Sequence, residues 1–120
     1  MLLKQPPPKP NPSSDDLEAL TQTLEINRVQ LSGQVLSVQP LRYTPAGIPV
    51  TEATLGHHSE QQEADLKRQV TCEVPVKALG NLAHQLAAAT IGTSLKATGF
   101  LAAKSLKSRQ LILHLDTLEF

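Results

Sequence analysis

A stretch of strictly alternating residues begins at Asn27 and constrains the fold more than any other part of the chain. In the segment NRVQLSGQVLSV, the apolar residues Val29, Leu31 and Val35 fall on one side of an extended chain, and polar residues fall on the other. A period of two is typical of a β-strand with one face on a core. Gly33 belongs to the inward series, where a bulge or tight bend would sit if the strand curls into a barrel.

The strand is followed by a turn. Pro45 presets φ and Gly47 supplies a positive φ, so Pro45-Ala46-Gly47 predicts a tight turn. Arg42 and Tyr43 stand just before it. We therefore expect a loop that presents one basic and one aromatic side chain.

Periodicity predicts the order of the remaining elements. The alternating segments are strands and the segment with apolar residues at helical spacing is a helix. The predicted elements are strands at 27–39, 50–59 and 69–76, a helix at 78–89, and strands at 93–105 and 111–119, with a polar loop at 60–68. Pro75 predicts that the third strand ends there or lies at an edge. An all-β, five-stranded barrel with one helix between strands three and four is the plan of the OB-fold.

The residues before the first strand have a different composition. Five prolines lie within 1–14 and predict an extended or disordered tail, which serves either as a loose leader or as a partner-binding motif. Leucines at helical spacing in 14–26 predict a short helix. We therefore divide the chain into a flexible segment, 1–25, and an OB-fold domain, 26–120.

Composition excludes several classes of protein. The net charge is zero, with −2 before Asn27 and +2 in the remainder, so no global basic signal points to nucleic acid. Cys72 is the single cysteine; it is expected to be a buried, inert thiol, and no disulfide can form within the chain. No apolar run approaches membrane-spanning length and no signal peptide is evident, which predicts a cytoplasmic protein with no membrane partner.

Catalytic chemistry finds little support in the sequence. No Ser-His-Asp or Cys-His set and no glycine-rich phosphate loop stands out. His57 and His58 lie near Glu60 and Glu63, but adjacent residues of a strand point to opposite faces. We therefore expect no enzyme activity, no metal site and no cofactor.

Several motifs resemble one family. N-R-x-x-L-S-G-x-V at 27–35, followed by P-L-R and T-P-x-G-I-P, resembles the start of primosomal replication protein N (PriB). R-Y-T-P-x-G-x-x-V at 42–50 is also similar to bacterial single-stranded DNA-binding protein (SSB), the parent superfamily. Further matching pieces extend almost to the C-terminus: Glu63-Ala64, Arg68-Gln69, Cys72, Pro75-Val76, Gly99-Phe100 and Leu113-His114.

The resemblance implies a function. PriB-like proteins are homodimers of single OB-folds that bind single-stranded DNA, steady the PriA helicase and help to recruit DnaT where it exists. A dimer is also physically reasonable, because a small open barrel leaves a strand edge that pairing across a two-fold axis would cover. The resemblance places helicase contacts at Glu63, Arg68 and Lys104.

Single-strand binding by an OB-fold uses one barrel face and the loops between strands one and two and strands four and five. Cations there follow phosphates and flat side chains stack on bases. Lys104, Lys107 and Arg109 place three positive charges in six residues, either as a solvated hairpin tip or as a phosphate-binding loop. The candidate DNA-binding residues are Arg42, Tyr43, His58, Lys67, Arg68, Lys104, Lys107 and Arg109.

The aromatic content departs from the family pattern. Leu66 and Thr71 match positions that carry aromatic DNA-contacting residues in PriB relatives, and neither side chain can stack. Tyr43 either stacks on a base or packs in its loop, and Phe100 either faces a ligand or fills the helix side of the core. A protein-binding OB-fold adaptor and a minimal SSB-like protein therefore remain alternatives, and a degenerate enzyme fragment has no support.

Overall fold

A computed structural model of the chain describes residues 25–120. The predicted tail and all but the last two residues of the predicted N-terminal helix lie outside this range, so the division at residue 25 stays a prediction. Glu25 and Ile26 are exposed and have no regular secondary structure. The elements are β1 (Val29–Val38), β2 (Arg42–Tyr43), β3 (Pro49–Glu63), β4 (Leu66–Leu79), α1 (Asn81–Ala87), β5 (Ser94–Ala103) and β6 (Leu111–Glu119).

Five long strands close into a barrel in the order β1-β5-β6-β4-β3, and β3 pairs back with β1. All neighbours are antiparallel except β4 and β6, which pair in parallel at Val76 and Lys77. β2 adds two residues to the outer edge of β3. The helix lies between the third and fourth long strands, which confirms the predicted OB-fold plan.

The barrel interior is filled by aliphatic side chains from every long strand. Val35, Leu55 and Leu113 have no measurable exposure, and neither does Leu86, which α1 inserts into one end of the barrel. Thr51 is the only buried polar side chain in the described part of the chain, and its Oγ1 donates a hydrogen bond of 2.8 Å to the Ala83 carbonyl of α1. This hydrogen bond holds α1 against β3.

Gly33 marks the point where β1 changes partner. Residues Val29–Gln34 pair with β5, and residues Gln34–Val38 pair with β3. A Cβ at position 33 would lie 2.7 Å from the Gly56 carbonyl oxygen, so the two backbones approach too closely for any side chain. The structure thus explains Gly33 by this close approach, while the register irregularity of β1 lies between Val35 and Ser37.

The prediction of a loop at 60–68 was wrong. β3 and β4 continue as one hairpin as far as Glu63 and Leu66, and only Ala64 and Asp65 form the turn, both with positive φ. We call residues Glu60–Gln69 the arm; all of them are exposed. Because no face of the arm packs on the core, its sequence lacks the apolar alternation that identifies a half-buried strand.

Three further expectations need correction. Cys72 is exposed, because that part of β4 extends past the barrel interior. β4 does not end at Pro75 but continues to Leu79, although Pro75 precedes its pairing with β6 and so borders an open edge. The helix is shorter than 78–89, because Gly80 turns the chain with φ 72° and keeps Ala78 and Leu79 in β4.

Candidate nucleic-acid interface

A shallow cleft of about 230 Å³ lies on the outer surface of the barrel. Gln39 borders it from the β1–β2 loop, and Lys104 borders it from the β5–β6 loop. Thr54, Pro75 and Ile112 contribute to its floor. The cleft therefore lies between the two loops with which OB-folds bind oligonucleotides.

The β5–β6 loop, residues Lys104–Gln110, is called the basic loop below. The Lys104 amide donates a hydrogen bond of 2.9 Å to the Gln110 carbonyl, which closes the loop at its base. Lys104, Lys107 and Arg109 are exposed, and within residues 25–120 none of them has a carboxylate at salt-bridge distance. The loop thus presents three positive charges that no described acidic group neutralises.

The other three predicted cations each lie beside an acidic side chain. All three pairs are exposed, and exposed pairs of this kind contribute only about 0–1 kcal/mol. They can therefore exchange one carboxylate for another anionic partner at small cost. The pairs are Arg42–Glu52 at 3.4 Å, Lys67–Glu60 at 3.8 Å and Arg68–Glu63 at 2.9 Å.

The arm and the strands leading into it offer no extended aromatic surface for a base. Leu66 is 70% exposed next to the turn. Thr71, five residues further along β4, is also exposed and pairs with His58 of β3. The Nδ1 atom of His58 lies 3.0 Å from the Thr71 hydroxyl across the hairpin. His58 is therefore held on the outer face by a neighbouring side chain rather than by the core.

The predicted turn after Tyr43 is confirmed. The Gly47 amide donates a hydrogen bond of 2.8 Å to the Thr44 carbonyl, and Gly47 has φ 83°. Arg42 and Tyr43 themselves pair with β3 as the short strand β2, although the sequence placed them in a loop. Tyr43 is 61% exposed, so its ring does not pack into the turn.

The sequence prediction named Arg42 as a DNA contact and left the role of Phe100 open, but it did not connect them into the row of side chains that crosses the outer face. We call it the outer row. It crosses β5, β6, β4 and β3 through adjacent register positions and reaches Arg42 through an ion pair. Its members are Phe100, His114, Lys77, Glu52 and Arg42. The alternating pattern places each of the strand residues outward, but only the strand register brings them side by side.

The surroundings of His114 in the outer row shift its pKa. Partial burial lowers its pKa from the ordinary value of 6.5, and the positive charge of Lys77 lowers it further. Glu52 opposes these effects and raises the pKa. The net result is a ring that is predominantly neutral at pH 7.

The predicted residues thus occupy two regions. Arg42 borders the cleft through its partner Glu52, and the basic loop borders it through Lys104. Tyr43 lies next to Arg42 on β2. The other predicted DNA and helicase contacts lie on the arm or on the strands that lead into it: His58, Glu63, Lys67 and Arg68.

Two structural findings concern metal binding and membranes. Both ring nitrogens of His57 lie 2.7 Å from oxygen atoms, those of the Ser32 carbonyl and the Ser59 hydroxyl. Across residues 25–120, no three His, Cys, Asp or Glu side chains come together as a metal-binding group would require. In the same range, α1 is not long and apolar enough to cross a membrane.

Comparisons with known proteins agree with this geometry. The model of a family described as another single-strand binding protein family matches residues 27–117. The replication restart protein PriB of Nitrosomonas europaea is 35% identical over 107 residues, which cover 89% of this chain and 92% of that protein. PriB of Bordetella pertussis is 41% identical over 91 residues, which cover 76% of this chain and 85% of that protein. The chain belongs to the PriB family of single-strand binding proteins.

Solved structures show the same fold. The PriB structure from Ralstonia solanacearum superimposes with a TM-score of 0.71 at 35% identity, covering 78% of this chain and 97% of that one. The single-stranded DNA binding protein from Thermus aquaticus gives a TM-score of 0.64 at 21% identity, covering 78% of this chain and 49% of that one. The second comparison shows that the fold is shared with a bacterial single-stranded DNA binding protein, and at this identity it shows the fold alone.

Proposed function

We propose that this protein is a single-stranded DNA-binding accessory factor of the replication restart primosome, acting in the cytoplasm. In this role it stabilises the PriA helicase on DNA and helps to recruit later components, including DnaT where it exists. The PriB relatives named above support the restart role. The observation that carries DNA binding is the basic loop, whose three cations lack described acidic partners at the edge of the OB-fold cleft.

The physical basis of binding is the release of counterions from the DNA backbone. Each phosphate that a cation neutralises lowers the slope of log K against log salt by about 0.7 for single strands. Three contacts from the basic loop alone would therefore give a slope of about −2. Because few aromatic side chains are exposed, we expect this electrostatic component to dominate the affinity.

The experiment is a fluorescence anisotropy titration of a labelled 15-nucleotide oligo(dT) at two salt concentrations. We expect binding at low salt that weakens steeply as salt increases. Undetectable binding at low salt would contradict the DNA-binding proposal and would leave an adaptor whose OB-fold surface serves proteins.

A homodimer completes the proposal. Within the described residues, the side of β1 opposite β5 has no strand partner from Val29 to Gly33. An unpaired edge of this kind favours pairing with a second copy, and two copies would add a second basic loop to the binding surface. Sedimentation velocity should show a dimer at micromolar concentration; a monomer that persists as concentration increases would contradict it.

A second role, contact with the helicase, is favoured by the paired charges of the arm. Glu63 and Arg68 form an exposed ion pair at 2.9 Å near the turn. Both side chains can therefore leave each other and pair with opposite charges of a protein partner. Together with Lys104, they are the residues that the family resemblance nominates for helicase contact. These contacts would let the protein act in restart with modest DNA affinity of its own.

The test compares helicase stimulation with DNA binding in the same variants. Arg68→Ala and Lys104→Ala should each weaken PriA stimulation on a forked substrate more than they weaken binding to free oligonucleotide. Lys96→Ala is the control, because Lys96 pairs with Glu119 at the other end of β5 and β6. Normal stimulation by both test variants would exclude the proposed contact.

A further inference from the structure

Phe100 and His114 form a stacked pair on the outer face of the barrel. Their ring centroids lie 5.1 Å apart and the ring planes differ by 9°. The two residues are direct cross-strand partners on β5 and β6. Phe100 nevertheless keeps 43% of its surface exposed, so the pair leaves aromatic surface open to solvent.

The backbone at this point is built to bring the two strands together. The β5–β6 register shifts between Thr98 and Gly99, immediately before Phe100. A Cβ on Gly99 would lie 1.8 Å from the His114 carbonyl oxygen, so only glycine permits this approach. A β-bulge changes the direction of the side chains beside it, and here it lies next to the residue that covers His114.

The charges around the pair suit an anion beside a flat group. Lys77 is the register partner of His114, and within residues 25–120 it forms no ion pair. Glu52, the nearest acidic member of the outer row, is already paired with Arg42. The lowered pKa of His114 keeps its ring neutral at pH 7, so the pair itself adds no charge.

The pair also continues the cleft. Ala102 and Ile112 face each other across β5 and β6, and Ile112 lines the cleft under Lys104. Phe100 and His114 are the next outward pair along the same two strands, a step of about 6.8 Å for two residues. A strand that leaves the cleft along β6 would reach the pair directly.

We propose that Phe100 and His114 form a stacking platform for one base of bound single-stranded DNA, with Lys77 beside it to receive a phosphate. This inference rests on the proposed DNA-binding function and adds to it a stacking site that the sequence prediction did not assign. The platform compensates for the absence of flat side chains at Leu66 and Thr71. A peptide segment is the less suitable occupant, because Lys77 and Lys104 favour a polyanion and flat rings favour bases.

The test combines a protein variant with removal of the bases. Phe100→Leu keeps an apolar side chain of similar size but removes the flat ring. We expect it to weaken binding to 15-nucleotide oligo(dT) by about fivefold or more, and to leave binding to an abasic oligonucleotide of the same length unchanged. Phe120→Leu is the matched control, since Phe120 is 62% exposed beyond the other end of β6.

Each outcome decides between the proposals. Unchanged oligo(dT) affinity in Phe100→Leu, or an equal loss on both oligonucleotides, would overturn the platform while DNA binding stands. Failure of the wild-type protein to bind either oligonucleotide would overturn both. If Phe100→Leu does not fold, the wild-type chain labelled at its two phenylalanines gives the answer by NMR. Oligo(dT), but not the abasic strand, should then shift the Phe100 ring signals upfield and leave those of Phe120 in place.

Discussion

The basic loop and the arm both carry cations on the outside of the same barrel, yet they differ in what surrounds those cations. In the arm, Lys67 and Arg68 each lie across the hairpin from a glutamate. In the basic loop, no acidic residue occurs between Lys104 and Gln110, and no described carboxylate reaches its three cations. Charge count alone therefore does not locate a phosphate-binding surface; the neighbours of each charge do.

The same contrast explains how a chain of zero net charge can bind a polyanion. Glu60 and Glu63 on the arm pair with the arm's own cations, and neither comes within salt-bridge distance of the three cations of the basic loop. The arm is thereby suited to exchange of paired charges with a protein, and the loop to phosphates.

The largest expected effect comes from removing the charge of the basic loop. Lys104→Ala/Lys107→Ala/Arg109→Ala should weaken oligo(dT) binding about 100-fold at 0.1 M salt and flatten the salt slope by about 2, because three phosphate contacts are lost. Anisotropy titrations at several salt concentrations measure both quantities. An unchanged slope would show that the loop does not touch phosphates.

A smaller gain is expected when a flat side chain is added beside the arm. Thr71→Trp places an indole on an exposed position of β4 and should tighten binding about fivefold or more, the usual effect of one base stack. Quenching of the new tryptophan by oligo(dT) would report the stack directly. Thr117→Trp, at an exposed position of β6, is the control; equal gains in both variants would indicate nonspecific stacking.

Releasing one paired cation should have a still smaller effect. Glu52→Gln removes the partner of Arg42 beside the cleft and should tighten binding about two- to fivefold, the range expected for an exposed ion pair. Glu119→Gln changes the net charge equally but releases Lys96 elsewhere. Equal tightening in both variants would mean that net charge, and not the neighbours of Arg42, controls affinity.

The smallest effect concerns pH. Because burial and Lys77 lower the pKa of His114 in the folded protein, the unfolded chain binds this proton more readily. The free energy of unfolding should therefore be highest above pH 6.5 and decrease as pH falls from 6.5 towards the lowered pKa. Urea unfolding of wild type and His114→Gln across pH 5 to 8 measures this contribution. The free energy of unfolding of the variant should depend less on pH than that of the wild type. Identical pH profiles would show that His114 is not coupled to folding.

The sequence predicted those parts of the fold in which one face of an element is buried. Alternation identified β1, β5 and β6, and Gly47 marked a turn that the structure confirms. The arm escaped prediction because both of its faces meet solvent, so nothing in its sequence separates a strand from a loop. Cys72 was misplaced for the same reason, since alternation shows a face but not what covers it.

The candidate site was predictable only in part. The basic loop is a local feature of the sequence, and it lies at the cleft where an OB-fold would place it. The outer row depends on the register of β5, β6 and β4, and α1 separates β4 from β5 in sequence. The Phe100–His114 stack follows from the register of β5 and β6, and the ion pair of Arg42 follows from the separate pairing of β2 with β3.

One measurement tests most directly the claim that the basic loop, and not the arm, holds the phosphates. The protein is labelled with an amine-reactive acylating reagent, with and without saturating oligo(dT), and the modification of each lysine is measured by mass spectrometry. Comparing each lysine with itself removes the effect of its ion pair. We expect DNA to protect Lys104 and Lys107 strongly and to leave Lys67 close to the level of Lys96. Protection of Lys67 with Lys104 and Lys107 unchanged would contradict this account.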